Sequence, residues 1–418
     1  MKTVEECLTQ ILDFFHPLGV EKVPLKETLH RVLAEDIYSS RSIPPHDNSA
    51  MDGYALKGED LRKASKEHPV RLRSVEEIPA GRAPERSIGS GETSRIMTGA
   101  PIPTGADTVV KIEDVEIAGG EVSFFAPAAE GENIRRRGED VVEGECVIAA
   151  GTLIGPAHMG MLAATGNALV PVFQKPLVAV IATGDELIDV DGDPSSGGVV
   201  TSNSYSLYGQ IIEAGGIPLP LGIARDNRDD LLAHFSEAKE RAHVIISSGG
   251  VSMGDYDFVQ DVFTELGARV LFDTVAQRPG KPFTYATMGE IPFFGLPGNP
   301  VSAMMSFEQY VRPSLLKMTG HRTIFRRTIK AVLEDTFVKR GDLTYFVRGI
   351  VTWRDGKFTV VTTGDQGSGI LKSMVLANGI IVLPRNMTTA RRGEEVTVQL
   401  IDNGLLTSMK PDYLDYSS

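Results

Sequence analysis

Apolar positions change their spacing three times along the chain. At the start, Val4, Leu8, Ile11, Leu12 and Phe15 recur every three or four residues, which predicts an amphipathic helix. Thr3 and Glu6 form a capping box at its start, and Pro17 ends it. A second helix is predicted over residues 25–38, with Leu25, Leu29, Val32 and Leu33 on one side. After Ile43-Pro44-Pro45 the pattern turns to short β-like runs, among them 70–74 and 108–117, divided by Gly and Pro. Helical spacing returns near 157–165. The first region, 1–174, therefore reads as a helical or linking part (1–45 and 141–174) split by an inserted β subdomain of about 46–140.

From 175 to 322, strand-like and helix-like stretches alternate. Strands are predicted at 177–182, 217–220, 244–247 and 269–274, with paired β runs at 283–287 and 291–295. Helices are predicted at 204–214, closed by Gly215-Gly216, and at 228–241, 257–266 and 301–318. On the second of these, Leu231, Leu232, Phe235 and Ala238 make the buried side. Repeated βα order implies a doubly wound α/β sheet, and continuously apolar strands imply burial on both faces. The third region, 323–405, lacks a helical period and carries a hairpin signal, Trp353-Arg354-Asp355-Gly356-Lys357-Phe358. A small β-barrel or sandwich is expected there. The fold class is thus multi-domain α/β plus β.

Composition narrows the class. A chain of 418 residues exceeds one ordinary core, and 42% hydrophobic with 23% charged residues is a globular balance. No apolar run reaches membrane-spanning length, and the N-terminus has no signal-peptide pattern. Two cysteines, Cys7 and Cys146, make no disulfide framework, so a reducing cytoplasm is expected. A formal charge of -13 argues against nucleic-acid binding. An anionic ligand would have to be held by a local basic cluster or a bound cation.

Three short segments follow apolar runs: 182–187 (Ala-Thr-Gly-Asp-Glu-Leu), 248–257 (Ser-Gly-Gly-Val-Ser-Met-Gly-Asp-Tyr-Asp) and 296–302 (Leu-Pro-Gly-Asn-Pro-Val-Ser). Ligands of open α/β sheets bind at such strand ends. Gly249 and Gly250, with Ser252, allow a backbone anion nest, although a tight strand-to-helix turn needs the same glycines. Asp257 suits either an N-cap or a ligand role. Pro297, Gly298 and Pro300 shape a rigid helix entry, with Pro300 at its first position and Ser302 adding a hydroxyl. Arg278-Pro279-Gly280-Lys281-Pro282 supplies cations on a stiff turn, which is also what a solvated loop would look like. Glu186, Asp226 and Asp257 neighbour separate strand ends, and their hard oxygens suit Mg²⁺. The scattered histidines suggest no zinc site, and esterase, P-loop and dinucleotide motifs are missing.

Taken together, these segments resemble the molybdopterin molybdenumtransferase family, MoeA, related to the E domain of gephyrin. The resemblance is carried by residues 48–55, 95–101, 131–140, 183–187, 249–257, 278–282 and 296–302, with a looser match at Gly367-Ser368-Gly369. It implies an elongated homodimer with a split N-terminal region, a central MogA-like molybdopterin-binding domain and a C-terminal β-barrel. It also implies a reaction in which molybdate enters the dithiolene of adenylylated molybdopterin and AMP leaves, with Mg²⁺ as the divalent ion. By the same resemblance, Glu186, Asp226 and Asp257 are catalytic and metal-holding. Gly249, Gly250, Ser252, Arg278, Lys281, Pro297, Gly298, Pro300, Ser302 and Ser368 bind substrate. Asp52 and Thr98 reach the active site of the other subunit. Arg278 departs from the Lys often found at its position in the family. Transient contact with a molybdopterin adenylyltransferase and with cofactor acceptors is implied, without nucleic acid or membrane. Alternative functions are molybdopterin adenylyl transfer and a gephyrin-like scaffold.

Overall fold

The computed structural model describes residues 1–249, 257–354 and 356–402, without the side chains of Ser196 and residues 257–260. The chain forms two compact units. One comprises Met1–Glu21, His30–Ala34 and everything from Val172 onward; the other comprises Lys22–Leu29 and Glu35–Pro171.

Helix α1 spans Val4–Leu12 and carries the expected capping box. Thr3 Oγ1 accepts the Glu6 N–H at 3.1 Å, and the Glu6 carboxylate accepts the Thr3 N–H at 2.7 Å. Cys7, Ile11 and Phe15 enter the core of the central sheet. Burial pushes the Cys7 thiol up to about 12, which leaves it protonated and inert.

The helix predicted over 25–38 does not form. Leu25–Glu27 makes one 3₁₀ turn, and Ile37–Tyr38 is a short strand paired with Cys146–Ile148. His30 takes φ 61°, which a right-handed helix excludes. The apolar residues also divide: Leu29 is exposed, while Val32 and Leu33 are buried in the other unit. A helical spacing without one receiving core is not a helix.

In the second unit six strands form a mixed sheet: β1 (Gly53–Leu56), β2 (Val70–Ile78), β3 (Glu92–Ile96), β4 (Thr108–Lys111), β5 (Val115–Ala118) and β6 (Glu121–Phe124). Their order is β4-β1-β3-β2-β6-β5. Period-two alternation sends Tyr54 and Leu56 into one core and Ala55 into the opposite one. Helix α2 (Pro156–Ala164) also belongs to this unit.

The central sheet contains β7 (Leu177–Thr183), β8 (Ile217–Ala224), β9 (Val244–Ser248), β10 (Ala268–Thr274), β11 (Pro282–Met288) and β12 (Ile291–Leu296). Its order is β8-β7-β9-β12-β11-β10; the first four strands run parallel, and β11 pairs antiparallel with both β12 and β10. Helix α3 (Ser202–Glu213) covers one face with the long helical segment after β12; α4 (Arg228–Arg241) and α5 (Asp257–Glu265) cover the other. β7 and β9 are buried along their length, as the apolar runs predicted. Edge strand β8 is only partly buried, which corrects the expectation of full burial for all strands. The closing helix is continuous but not uniform. α6 (Pro300–Ser306) passes through a π segment, Phe307–Val311, into α7 (Arg312–Met318). Glu308 on that segment bonds Arg326 at 2.8 Å and pins the start of the C-terminal region.

That region closes as a five-stranded barrel: β13 (Thr328–Leu333), β14 (Thr344–Arg354), β15 (Lys357–Thr362), β16 (Gly379–Leu383) and β17 (Glu395–Leu400). Closure runs β14-β15-β13-β17-β16 and back to β14. Arg354 pairs with Lys357 across the predicted hairpin, and Gly356 takes φ 75°. A short helix, α8 (Lys372–Leu376), was not anticipated.

Candidate active site at the strand ends

Strands β7, β8, β9 and β12 end in register: Thr183 beside Ala224, Ala182 beside Ser248, and Ser248 beside Leu296. Their loops therefore leave the same edge of the sheet. Gly249 has φ 89°, and a Cβ there would lie 2.6 Å from the Thr183 carbonyl oxygen. A side chain is excluded at this crossing. Asn203, in the first turn of α3, ties two loops together. Its Nδ2 donates to Ser248 Oγ at 2.6 Å and to the Gly298 carbonyl at 2.8 Å. Beside it, the buried hydroxyls of Thr183 and Ser247 and the Asn203 Oδ1 have no partner among the described residues. These atoms have bonding capacity that water or a ligand could fill. Gly250 and Ser252 lie outside the described residues.

Pro300 occupies the first position of α6, as predicted. The Val301 N–H donates to the Ser368 carbonyl at 3.1 Å, so this donor of the helix entry is already used within the chain. Ser368 thus seats a barrel loop on the helix entry. Ser302 is buried, Pro297 half-buried and Gly298 exposed.

The turn at 278–282 rests on the same helix. Gly280 has φ 85°, and a Cβ there would meet Ser306 Oγ at 2.6 Å and Gln277 Nε2 at 2.8 Å. Gln277 Nε2 donates to the Gly280 carbonyl at 3.2 Å, and its Oε1 accepts from Tyr310 OH at 2.5 Å. This seating separates the two cations. Arg278 lines a cavity of about 390 Å³ with Arg340 and Arg348; Lys281 is exposed and outside that lining.

Arg348 is 1% exposed. Its Nε donates to Ser373 Oγ and its Nη2 to the Gly367 carbonyl, both at 3.1 Å. No carboxylate reaches ion-pair distance of it among the described residues. Burial pushes its pKa down to about 10, so it stays cationic at neutral pH. Asp365, lining the same cavity, acts on it from beyond that distance and compensates the charge only in part; an anion in the cavity would offset more of the cost of burying it. Sequence reasoning missed Arg348 and Arg340. The available signal was one Arg inside an otherwise apolar strand, Tyr345-Phe346-Val347-Arg348-Gly349-Ile350-Val351.

The carboxylates gather at the ends of β7 and β8. Arg225 Nη1 donates to the carbonyls of Asp185 at 3.0 Å and Leu187 at 3.1 Å, which folds the 183–187 loop against β8. The Asp226 N–H donates to Asp185 Oδ1 at 3.0 Å. A Cβ on Gly184 would lie 2.6 Å from Glu186 Oε2, so that carboxylate folds back over its own loop. Burial pushes the Asp226 carboxyl above its ordinary range, and the charges of Asp185 and Glu186 add to the shift. Asp257 begins α5, but its side chain lies outside those described. Among the described residues no three Asp, Glu, His or Cys side chains are grouped to hold a metal. Crowded hard oxygens at Glu186 and Asp226 nonetheless have the donor chemistry of a hard cation.

In the other unit, three motifs converge on one exposed turn. Asp52 Oδ1 accepts the Thr98 N–H at 2.7 Å and Thr98 Oγ1 at 2.8 Å. These bonds hold the Asp52 carboxyl below its ordinary range. The Ser49 N–H donates to the Ala100 carbonyl at 3.0 Å, and the Ala50 N–H to the Asn133 carbonyl at 2.9 Å. Asp47 bonds Arg136 Nη1 at 2.7 Å and the Arg137 N–H at 2.8 Å. A Cβ on Gly53 would sit 2.1 Å from the Val110 carbonyl oxygen, which explains the glycine after Asp52.

Comparison with known proteins follows this architecture in order. A MoeA N-terminal region (domain I and II) matches residues 2–166, a probable molybdopterin binding domain matches 179–317, and a MoeA C-terminal region (domain IV) matches 330–401. Fold and site therefore define a multidomain protein of the molybdopterin-binding class. The molybdopterin molybdenumtransferase of Bacillus subtilis is 38% identical over 407 residues, covering 96% of this chain and 95% of that one. That of Staphylococcus aureus is 34% identical over 403 residues, covering 96% of each. A crystal structure of the molybdopterin biosynthesis MoeA protein from Pyrococcus horikoshii superposes with TM-score 0.83 at 33% identity, covering 96% of this chain and 99% of that one. The chain belongs to the molybdopterin molybdenumtransferase (MoeA) family. No helix among the described residues is long and apolar enough to cross a membrane.

Proposed function

We propose that this member of the family inserts molybdate into the dithiolene of adenylylated molybdopterin and releases AMP. The observation that carries the reading is Arg348, a buried cation with no ion-pair partner among the described residues, lining a cavity where three arginines, Arg278, Arg340 and Arg348, outnumber one carboxylate, Asp365. In a chain of net charge -13, this is a local basic site of the kind a tetrahedral oxyanion needs. Arg348 and Arg278 orient the oxyanion, and Gly367 and Ser368 join that cavity to the α6 entry. Asn203 ties the Ser248 and Gly298 loops together, which keeps the strand-end site rigid for the pterin substrate. Lys281, exposed on the same turn, adds long-range attraction.

Mg²⁺ is the proposed divalent ion. Glu186, Asp226 and Asp257 would hold it, and it would supply charge stabilisation at the phosphates. Support comes from the crowding of half-buried Asp226 with Asp185 and Glu186: burial first, and then their charges, raise its carboxyl, and a bound cation would offset both. We also propose a cytoplasmic homodimer in which Asp52 and Thr98 of one copy serve the site of the other. Support comes from the exposure of Asp52 and Thr98 on a turn whose shape is fixed by their mutual hydrogen bonds. Transient contact with an adenylyltransferase and with cofactor acceptors would pass the labile pterin along.

The test combines the protein with adenylylated molybdopterin, Mg²⁺ and molybdate. Stoichiometric AMP and metal-loaded cofactor are expected. No AMP overturns the proposal; consumption of ATP with free molybdopterin would assign adenylyl transfer instead.

A further inference from the structure

A second cavity, of about 350 Å³, opens between α3 and the ends of β7 and β8. This is the low end of the ~300–1,000 Å³ typical of small-molecule pockets, enough for one ring system. Val180 and Ile223 form an apolar floor. Tyr205 and Tyr208 stand on one face of α3, three residues apart, and are 51% and 44% exposed. Such aromatic area left open to water is what a planar ring would cover.

One carboxylate stands at the rim. Asp189 Oδ1 accepts from Tyr205 OH and from the Val190 N–H, both at 2.7 Å. Both of these bonds fall on one oxygen, so the carboxylate is oriented while Oδ2 remains for a ligand. The Tyr205 bond holds Asp189 below its ordinary range, so it is ionised at neutral pH. A fixed carboxylate beside aromatic walls recognises adjacent N–H donors, as on the aminopyrimidine edge of a pterin or a guanine. Adenine pairs poorly there, because its ring nitrogen next to the amino group is an acceptor and meets a negative charge.

The cavity adjoins the strand-end site through the same elements. Asn203, between lining residues Thr201 and Ser204, holds the Ser248 and Gly298 loops. Ile223 leads within three residues to Asp226. We infer that this cavity binds the aminopyrimidine end of the pterin substrate, with Asp189 as the specificity residue and Tyr205 as its positioning partner. The inference rests on the function proposed above and adds which end of the substrate lies where.

Binding of neopterin, of GMP and of AMP to the full chain is the direct test. Asp189→Asn keeps an oxygen for Tyr205 and changes only the charge, and a melting curve checks its fold. Neopterin should bind the wild type and weaken about tenfold or more in Asp189→Asn, with AMP affinity unchanged; Tyr205→Phe should weaken neopterin less. GMP competing as well as neopterin would reassign the cavity to guanine nucleotides and overturn the pterin assignment. Unchanged neopterin affinity in Asp189→Asn, or displacement of neopterin by AMP, overturns the inference. The two proposals fail separately. A wild type that makes AMP, with an unchanged KM for adenylylated molybdopterin in Asp189→Asn, sinks the cavity assignment alone. A wild type that binds neopterin but makes no AMP sinks the reaction alone.

Discussion

Two charged regions of the same unit meet opposite problems. At the barrel side, Arg348 is buried and hydrogen-bonds to neutral groups, Ser373 Oγ and the Gly367 carbonyl, with Asp365 as a more distant counter-charge. At the ends of β7 and β8, Asp226 is half-buried beside Asp185 and Glu186, and no cation among the described residues forms an ion pair with it. Arg225 is close to those carboxylates, but its Nη1 is spent on backbone carbonyls. Each region holds a charge that folding alone would remove, one positive and one negative. A site that must hold an oxyanion and a phosphate-bound cation needs both. The turn carrying Asp52 differs from each, because Thr98 satisfies its carboxylate outright.

Removing the positive charge should have the largest effect. Arg348→Gln keeps a donor for Gly367 but loses about 100-fold in AMP release at low molybdate, from charge-assisted bonds of about 1.5–3 kcal/mol. Its melting temperature should hold within about 2 °C, because the lost charge was itself costly. A variant that melts far lower, or that keeps its affinity for molybdate, would break the contrast.

Next comes Gly280→Ala, which tests the seating of Arg278 without touching a charge. With φ 85° and contacts of 2.6 and 2.8 Å to Ser306 and Gln277, the added methyl should cost about 1–3 kcal/mol of stability. Denaturant unfolding reads that cost, and the apparent molybdate KM should rise with it.

Asp226→Asn sharpens the negative side. Turnover should fall about tenfold, while the protein becomes slightly more stable, by about 1 °C. The sign follows from the raised carboxyl. A group whose folded pKa lies above its unfolded value contributes stability at low pH and loses it as pH rises through the folded value. The gain from Asn should therefore appear at neutral pH and vanish below about pH 4, the ordinary Asp range. A melting series against pH measures it.

The smallest change is expected at Thr98→Val, which removes the Oγ1 bond and leaves the backbone bond. The Asp52 carboxyl should rise toward its ordinary value, read by NMR titration, with turnover reduced only a few-fold. A loss as large as that of Arg348→Gln would make Asp52 a principal catalytic group.

How legible each part was depended on whether its signal was local. The bounds 228–241 predicted for helix α4 match the observed ones, because its apolar side lies within one segment. Gly249 and Gly280 were found as turn residues, and the close contacts behind them are tertiary. The residues over 25–38 misled, because a helical period says nothing about whether its apolar positions share one core. Arg278 and Lys281 read as one cluster in sequence, yet the seated turn sends only Arg278 into the cavity. Arg348 was hidden because a strand pattern records which face a residue takes, not what its charge will find there.

The sequence by itself determined the order of elements, the turns that require glycine or proline, and the strand-end motifs that carry the family resemblance. These depend on backbone sterics and on contacts a few residues apart. Tertiary structure decided which charges are left without a partner. Arg348 has no close ion pair among the described residues because barrel closure hydrogen-bonds it to neutral groups and leaves Asp365 farther off, and Asp226 is pressed because β7 and β8 end in register. Electrostatic cost depends on burial and on distance to neighbours far along the chain, and neither is set until the strands have paired.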